Sequence, residues 1–121
     1  MPSLSLESEV EALLTQLEAK SPIIYDLGTP QIVETQAVRD LLALGQPILP
    51  YLLDRLQTAS PKVTAYLVFV LGQLGDSSTI IPLQTVRTRY KNISNKSEWE
   101  YVVIGQCNIA IDNLEPVNSS P

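Results

Sequence analysis

The sequence contains no histidine, and its 121 residues include a single cysteine, Cys107. Histidine is the commonest general acid or base near neutral pH and the commonest ligand for transition metals. A lone cysteine excludes a disulfide within the chain. These absences favour a protein that is not an enzyme and that carries no metal or other cofactor.

Long apolar runs and a leader-like start are also missing. No stretch of about 18 uninterrupted apolar residues, the length that indicates a membrane span, occurs in the sequence. The first residues, 1–7, lack the basic start and apolar core of a secretory signal. We therefore expect a cytoplasmic protein that does not bind membranes.

Basic residues are outnumbered, 8 against 13 acids, which gives a net charge of −5 and argues against nucleic-acid binding. The bases are nevertheless concentrated in one place, because Arg87, Arg89, Lys91 and Lys96 fall within ten residues that contain no acid. This cluster fits two interpretations, the solvated end of a helix or a docking patch for an acidic partner.

Apolar residues recur at helical spacing along the whole sequence, and no segment favours a strand over a helix. The second helix is predicted to begin with Thr29 as N-cap and Pro30 at its first position, and Ser60-Pro61 repeats that start. Ser97 and Glu100 resemble a capping box at the start of the last helix. The pattern predicts six helices, at about 4–19, 30–44, 47–58, 61–74, 79–90 and 97–115.

A short phrase occurs twice and indicates a repeat. Leu44-Gly45 and Leu74-Gly75 are 30 residues apart, and each pair is followed by an apolar segment that contains a proline. A two-helix period of about 30 to 35 residues is typical of stacked helical hairpins. Gly72 suits a close approach of two helices, Gly75 suits a left-handed helix end, and Asp76 is predicted to cap the next helix.

These residues resemble the HEAT repeat, and within it the HEAT-like repeat of phycobilisome lyases. The resemblance lies in Val70–Asp76 followed by Ile80–Leu83, and in Val38-Arg39 followed by Leu41–Gly45. It covers about residues 30–90, half of the chain. The implied fold is all-α, a short α-α superhelix of the HEAT/armadillo type with about six helices.

At 121 residues the chain is expected to form one domain, over residues 1–121. Residues 1–29 form an amino-terminal cap helix and connector, residues 30–91 two helical hairpins, and residues 97–115 a carboxy-terminal helix. The implied function is that of a non-catalytic scaffold or adaptor that binds other proteins. The alternative is an auxiliary or chaperone-like subunit in bilin attachment or phycobilisome turnover.

In such arrays the second helices of the hairpins line a face that commonly binds partners. The candidate partner-binding residues on these helices are Arg87, Tyr90, Lys91, Arg55 and Tyr51, since arginine and tyrosine are enriched among binding hot spots. Solvation is the alternative role for each of them. The expected partner is an unidentified protein, either acidic or a phycobiliprotein, and a second copy of the chain is a further possibility.

Two other residues invite functional interpretations but fit a structural role better. Cys107 lies in the apolar stripe of the last helix, which favours a buried small side chain over a nucleophile or chromophore anchor. Trp99 shares that stripe, which favours a core position over an exposed binding anchor. No motif for catalysis, phosphate binding or metal binding is present in the sequence.

Overall fold

The computed structural model of the chain describes residues 5–20, 24–26 and 29–115. Residues 1–4 and 116–121 and parts of the predicted connector, residues 21–23 and 27–28, lie outside the described residues. Six helices make up most of the described part, as the periodicity predicts. They are α1 (Leu6–Lys20), α2 (Gln36–Leu44), α3 (Leu49–Arg55), α4 (Pro61–Leu74), α5 (Ile80–Lys91) and α6 (Glu98–Leu114).

A short antiparallel hairpin precedes α2 and was not predicted. Strand β1 (Ile24–Asp26) pairs with strand β2 (Thr29–Gln31), and Tyr25 lies opposite Pro30. The prediction that Thr29 and Pro30 open the second helix is therefore wrong, since both belong to β2. The third helix is also shorter than predicted, because α3 ends at Arg55 and residues 56–59 form a turn.

The true start of α2 lies at Thr35. Its Oγ1 atom accepts a hydrogen bond from the Val38 N–H at 3.4 Å, which satisfies one of the free amides of the first helical turn. Upstream, the Val33 N–H donates to the hydroxyl of Tyr66 at 3.1 Å. In a helix begun at Pro30 the same N–H would bond to a carbonyl four residues earlier. The contact with buried Tyr66 therefore holds this segment in an extended form.

Helix α4 lies at the centre of the fold. The Oγ atom of its N-cap, Ser60, accepts from the Val63 N–H at 3.3 Å, and Pro61 occupies the first helical turn. The helix packs against α1, α2, α3 and, over the largest contact, α6. A helix that is apolar nearly all round must be covered on every side, and α4 is. Its buried residues are Val63, Thr64, Ala65, Tyr66, Leu67, Val68, Val70, Leu71 and Gly72.

The contact between α4 and α6 depends on a glycine. A Cβ atom built on Gly72 would lie 2.8 Å from the Cβ of Ala110 and 3.1 Å from its Cα. Real carbon atoms in contact stand about 3.5–4.0 Å apart. The two backbones are therefore closer than any residue other than glycine at position 72 allows, which confirms the close approach predicted there.

The turn between α4 and α5 has the chemistry that the repeated phrase predicts. Gly75 takes a left-handed conformation with φ at 78°, which glycine adopts without a steric penalty. The Oδ1 atom of Asp76 accepts a hydrogen bond from the Ser78 N–H at 2.9 Å, at the start of a short 3₁₀ turn, Ser77–Thr79, that leads into α5. Asp76 therefore caps this 3₁₀ turn and not α5 itself, whose N-cap, Thr79, makes no side-chain cap bond.

The chain is thus helical, with six α-helices and one short hairpin in the part that the structure describes. At the start of α6 the predicted capping box is present, with the Glu100 carboxylate accepting from the Ser97 N–H at 2.6 Å. None of the helices in residues 5–20 and 36–115 combines the length and the apolar character needed to cross a membrane.

Candidate functional site

An open concavity lies between α3 and α5, and we call it the α3–α5 groove. Its volume of about 570 Å³ falls within the range of small ligand clefts, although it is open to solvent. Most of its lining side chains are apolar, and its single charged side chain is an arginine. The lining residues are Leu53, Leu56, Gln57, Ile81, Pro82, Thr85, Val86 and Arg89.

The outer wall of the groove follows from the periodicity of α5. Leu83, Val86 and Tyr90 are buried and hold one side of the helix against the core. That orientation turns Ile81 and Thr85 outward, at the opposite side of the helix. Ile81 is 69% exposed, more than any other large apolar residue in the part of the chain that the structure describes. Ile81 therefore presents an exposed apolar side chain at the rim of the concavity.

Arg89 joins the two walls of the groove. Its Nη2 atom donates to the carbonyl oxygen of Leu56 at 2.8 Å, and Leu56 follows directly after α3. Carbonyls at the end of a helix lack a partner within the helix, so this bond satisfies one of them. The guanidinium also lies 5.4 Å from the ring centroid of Tyr90. Arg89 is therefore held in place while most of its N–H donors remain available to a partner.

Of the predicted binding residues on α5, Tyr90 is the one that the structure contradicts. Its side chain is only 4% exposed and belongs to the core, because it follows Leu83 and Val86 on the buried stripe. Arg87 is half-buried, and its Nη1 atom donates to Oδ1 of Asn108 on α6 at 2.9 Å. Lys91 is exposed at the last residue of α5. Only Lys91 and part of Arg87 are accessible to a partner.

Tyr51 and Arg55 lie in a different concavity, between α1 and α3. Arg55 binds both carboxylate oxygens of Glu11, with Nε 2.6 Å from Oε2 and Nη2 paired with Oε1. The hydrogen bond and charge of Glu11 raise the pKa of Arg55 above its ordinary value. Arg55 therefore connects α3 to α1. The concavity has a volume of about 370 Å³ and is lined by Glu7, Ser8, Glu11, Tyr51, Asp54 and Arg55.

The five predicted residues consequently do not form one site. The structure brings Tyr51 and Arg55 together on the α1 side of α3, and it places Arg87 against α6. The sequence analysis does not single out Ile81 as a residue of the groove, and it treats Arg89 only as one of the clustered bases. A signal was available, because Ile81, Thr85 and Arg89 stand four residues apart on one row of α5.

Cys107 and Trp99 have the structural roles that the sequence favours. Cys107 is fully buried, and burial raises the pKa of its thiol to about 12, although the charges of Arg87 and Arg89 oppose that rise. At neutral pH almost none of it is the reactive thiolate. The ring of Trp99 lies 6.0 Å from that of Tyr66, centroid to centroid, and packs against the core. No three metal-binding side chains converge within the described segments.

Comparison of the chain with protein-family models, with curated proteins and with solved structures gave no match.

Proposed function

We propose that the protein is a non-catalytic protein-interaction module that binds its partner at the α3–α5 groove. The observation that carries the proposal is the exposed Ile81 beside the apolar lining of the groove. Removing an isoleucine side chain from water is worth about 1.5–3 kcal/mol. Most of the Ile81 side chain is exposed, so most of this free energy is not gained on folding. A partner that covers Ile81 would gain it on binding.

The proposal includes a HEAT-like arrangement of the helices. In that arrangement α2, α4 and α6 are successive first helices, and α3 and α5 are the second helices of two hairpins. The packing of α4 between α2 and α6 supports this order. Second helices of such arrays line the face that commonly binds partners, and the α3–α5 groove lies between the two second helices.

Photo-crosslinking from the groove tests the proposal in the source cells. A photoreactive amino acid replaces Thr85, which lines the groove, and in a matched variant it replaces Thr15 on α1. Both threonines are exposed, and each donates its hydroxyl to the carbonyl four residues earlier, at 3.1 Å and 2.9 Å. The two substitutions therefore perturb the fold equally.

We expect a protein adduct from position 85 that is missing from position 15. The same adducts from both positions, or none from position 85, would contradict the proposal. Identification of the adduct as a phycobiliprotein would support the role in bilin attachment or phycobilisome turnover that the resemblance implies.

A further inference from the structure

The outward face of α5 carries a ridge with a depression on each side. Ile81, Thr85 and Arg89 form the ridge, because residues four apart lie in one row along a helix. The α3–α5 groove lies on one side of it. A second concavity, of about 440 Å³, reaches Gln84 and Thr88 on the other side. A ridge between two grooves is the surface that another helix packs against.

The charge around the ridge has one sign. Arg89 lines both concavities, and neither lining contains an aspartate or a glutamate. The chain as a whole carries a net charge of −5, so linings whose single charged side chain is basic depart from the overall balance. A complementary partner would place carboxylates beside its apolar contact residues.

Resting on the proposed function, we propose that the occupant is an amphipathic helix of a protein partner, with acidic residues beside its apolar stripe. Its apolar side chains pack on either side of Ile81 and into the α3–α5 groove. A carboxylate of the helix pairs with the guanidinium of Arg89, whose Leu56 contact fixes its position. Helices recognised in this way present anchors at i, i+3, i+4 and i+7.

Selection from a display library of randomised helical peptides, with the intact protein as target, tests the inference. We expect enriched peptides to carry aliphatic or aromatic residues at helical spacing with aspartate or glutamate beside them. A labelled copy of the most enriched peptide is then titrated with protein, and its affinity is measured by fluorescence anisotropy. Selection of no peptide, or of basic or uncharged peptides, would overturn the inference.

Two variants of the groove and two matched controls locate the binding site. Ile81→Asp should weaken binding about tenfold or more, whereas Ile109→Asp, at a residue 53% exposed on α6, should leave it unchanged. Arg89→Glu should weaken binding similarly, and Arg39→Glu on α2 should not. The Arg39 control is matched, because this exposed side chain also donates to a backbone carbonyl, that of Glu34 at 3.3 Å. Equal effects of groove and control variants would overturn the inference.

Charge exchange separates recognition from damage to the fold. Since Arg89→Glu also removes the bond to the Leu56 carbonyl, its weaker binding alone could reflect a shifted α3. A peptide with its acidic residues changed to lysine should bind the Arg89→Glu variant better than it binds the unmodified protein. If the lysine peptide does not bind the Arg89→Glu variant better, the proposed pairing of Arg89 with a carboxylate of the helix is overturned. An adduct at position 85 with a partner that lacks an acidic helix would overturn the inference and leave the proposed function intact.

Discussion

Two glycines within helices should respond in opposite ways to the same substitution. Gly105 lies within α6, and a Cβ added there meets no atom within 4 Å. Gly105→Ala should therefore stabilise the protein by about 0.5–1 kcal/mol, the gain in helix propensity and the smaller freedom of the unfolded chain. The matched change at Gly72 gains the same propensity but places a Cβ atom 2.8 Å from the Cβ of Ala110 and 3.1 Å from its Cα.

Steric overlap should make the substitution Gly72→Ala destabilising. The closer atom is a side-chain methyl, but the second is backbone, so relief requires α6 to move away from α4. Overpacking of this kind costs about 1–3 kcal/mol, which exceeds the propensity gain of about 1 kcal/mol. Gly72→Ala should lower the free energy of unfolding by up to about 2 kcal/mol. Urea unfolding followed by circular dichroism measures both variants.

A double-mutant cycle with Ala110→Gly identifies the cause. Alone, Ala110→Gly should destabilise by about 1 kcal/mol, because it places a glycine inside a helix. Combined with Gly72→Ala it removes the methyl contact, so the two changes together should cost at least about 0.5 kcal/mol less than their sum. If Gly72→Ala proves as stabilising as Gly105→Ala, the close approach of α4 and α6 is refuted.

Three further outcomes are expected. Burial raises the pKa of Cys107 to about 12. At pH 8 its thiol should therefore be alkylated about a thousandfold more slowly in the folded protein than in the protein unfolded by urea. Rapid alkylation of the folded protein would contradict the burial of Cys107. Glu100 has a lowered pKa because the Ser97 backbone N–H donates to its carboxylate. Its contribution to stability is therefore present above the pKa of Glu100 in the unfolded chain and is lost as the pH falls through its pKa in the folded protein. Glu100→Gln should reduce this loss of stability at acid pH, measured as urea midpoints against pH, and an unchanged pH profile would contradict the prediction. Tyr66→Phe should lower the free energy of unfolding by about 1–2 kcal/mol, since the half-buried Val33 N–H loses its acceptor. The control Tyr101→Phe, at an exposed tyrosine, should leave it nearly unchanged. Thermal unfolding compares the two variants, and equal effects would exclude the hydrogen bond as the cause.

Local sequence chemistry predicts those parts of the fold that depend on near neighbours. Ser60 with Pro61, Gly75 with Asp76, and the Ser97 capping box each act over at most three residues, and all three are present in the structure. The bounds of α4, α5 and α6 also follow closely from such signals, whereas α2 and α3 are shorter than predicted. Hydrogen bonds of this kind depend on neighbours in the sequence, so the local sequence is enough to predict them.

The start of α2 could not be predicted in the same way. Thr29-Pro30 and Thr35 both have cap chemistry, and the choice between them depends on partners outside the segment. One partner is the preceding strand, and the other is the hydroxyl of Tyr66, 33 residues away from Val33. Local patterns do not report a contact at such a distance. Tertiary contacts therefore override propensity at this position.

The candidate site was predictable at the level of helices and not of side chains. The expectation that the second helices form the contact face stays a prediction, and the α3–α5 groove lies on them. The prediction of Tyr90 as a binding residue rests on residue type and is wrong, because its spacing from Leu83 and Val86 places it on the buried stripe. The ion pair between Arg55 and Glu11 depends on how α1 packs against α3. The spacing of residues within one helix does not reveal that packing.

The position of α4 has a consequence for synthesis of the protein on the ribosome. The helix that covers most of α4 is α6. Helix α4 ends at Leu74 and α6 begins 24 residues later, at Glu98. Until α6 has been made and has packed against it, the side of α4 that carries Gly72 lacks its cover, together with its apolar neighbours. Newly made chains therefore pass through an interval in which their most apolar helix is open to chaperones and to other nascent chains.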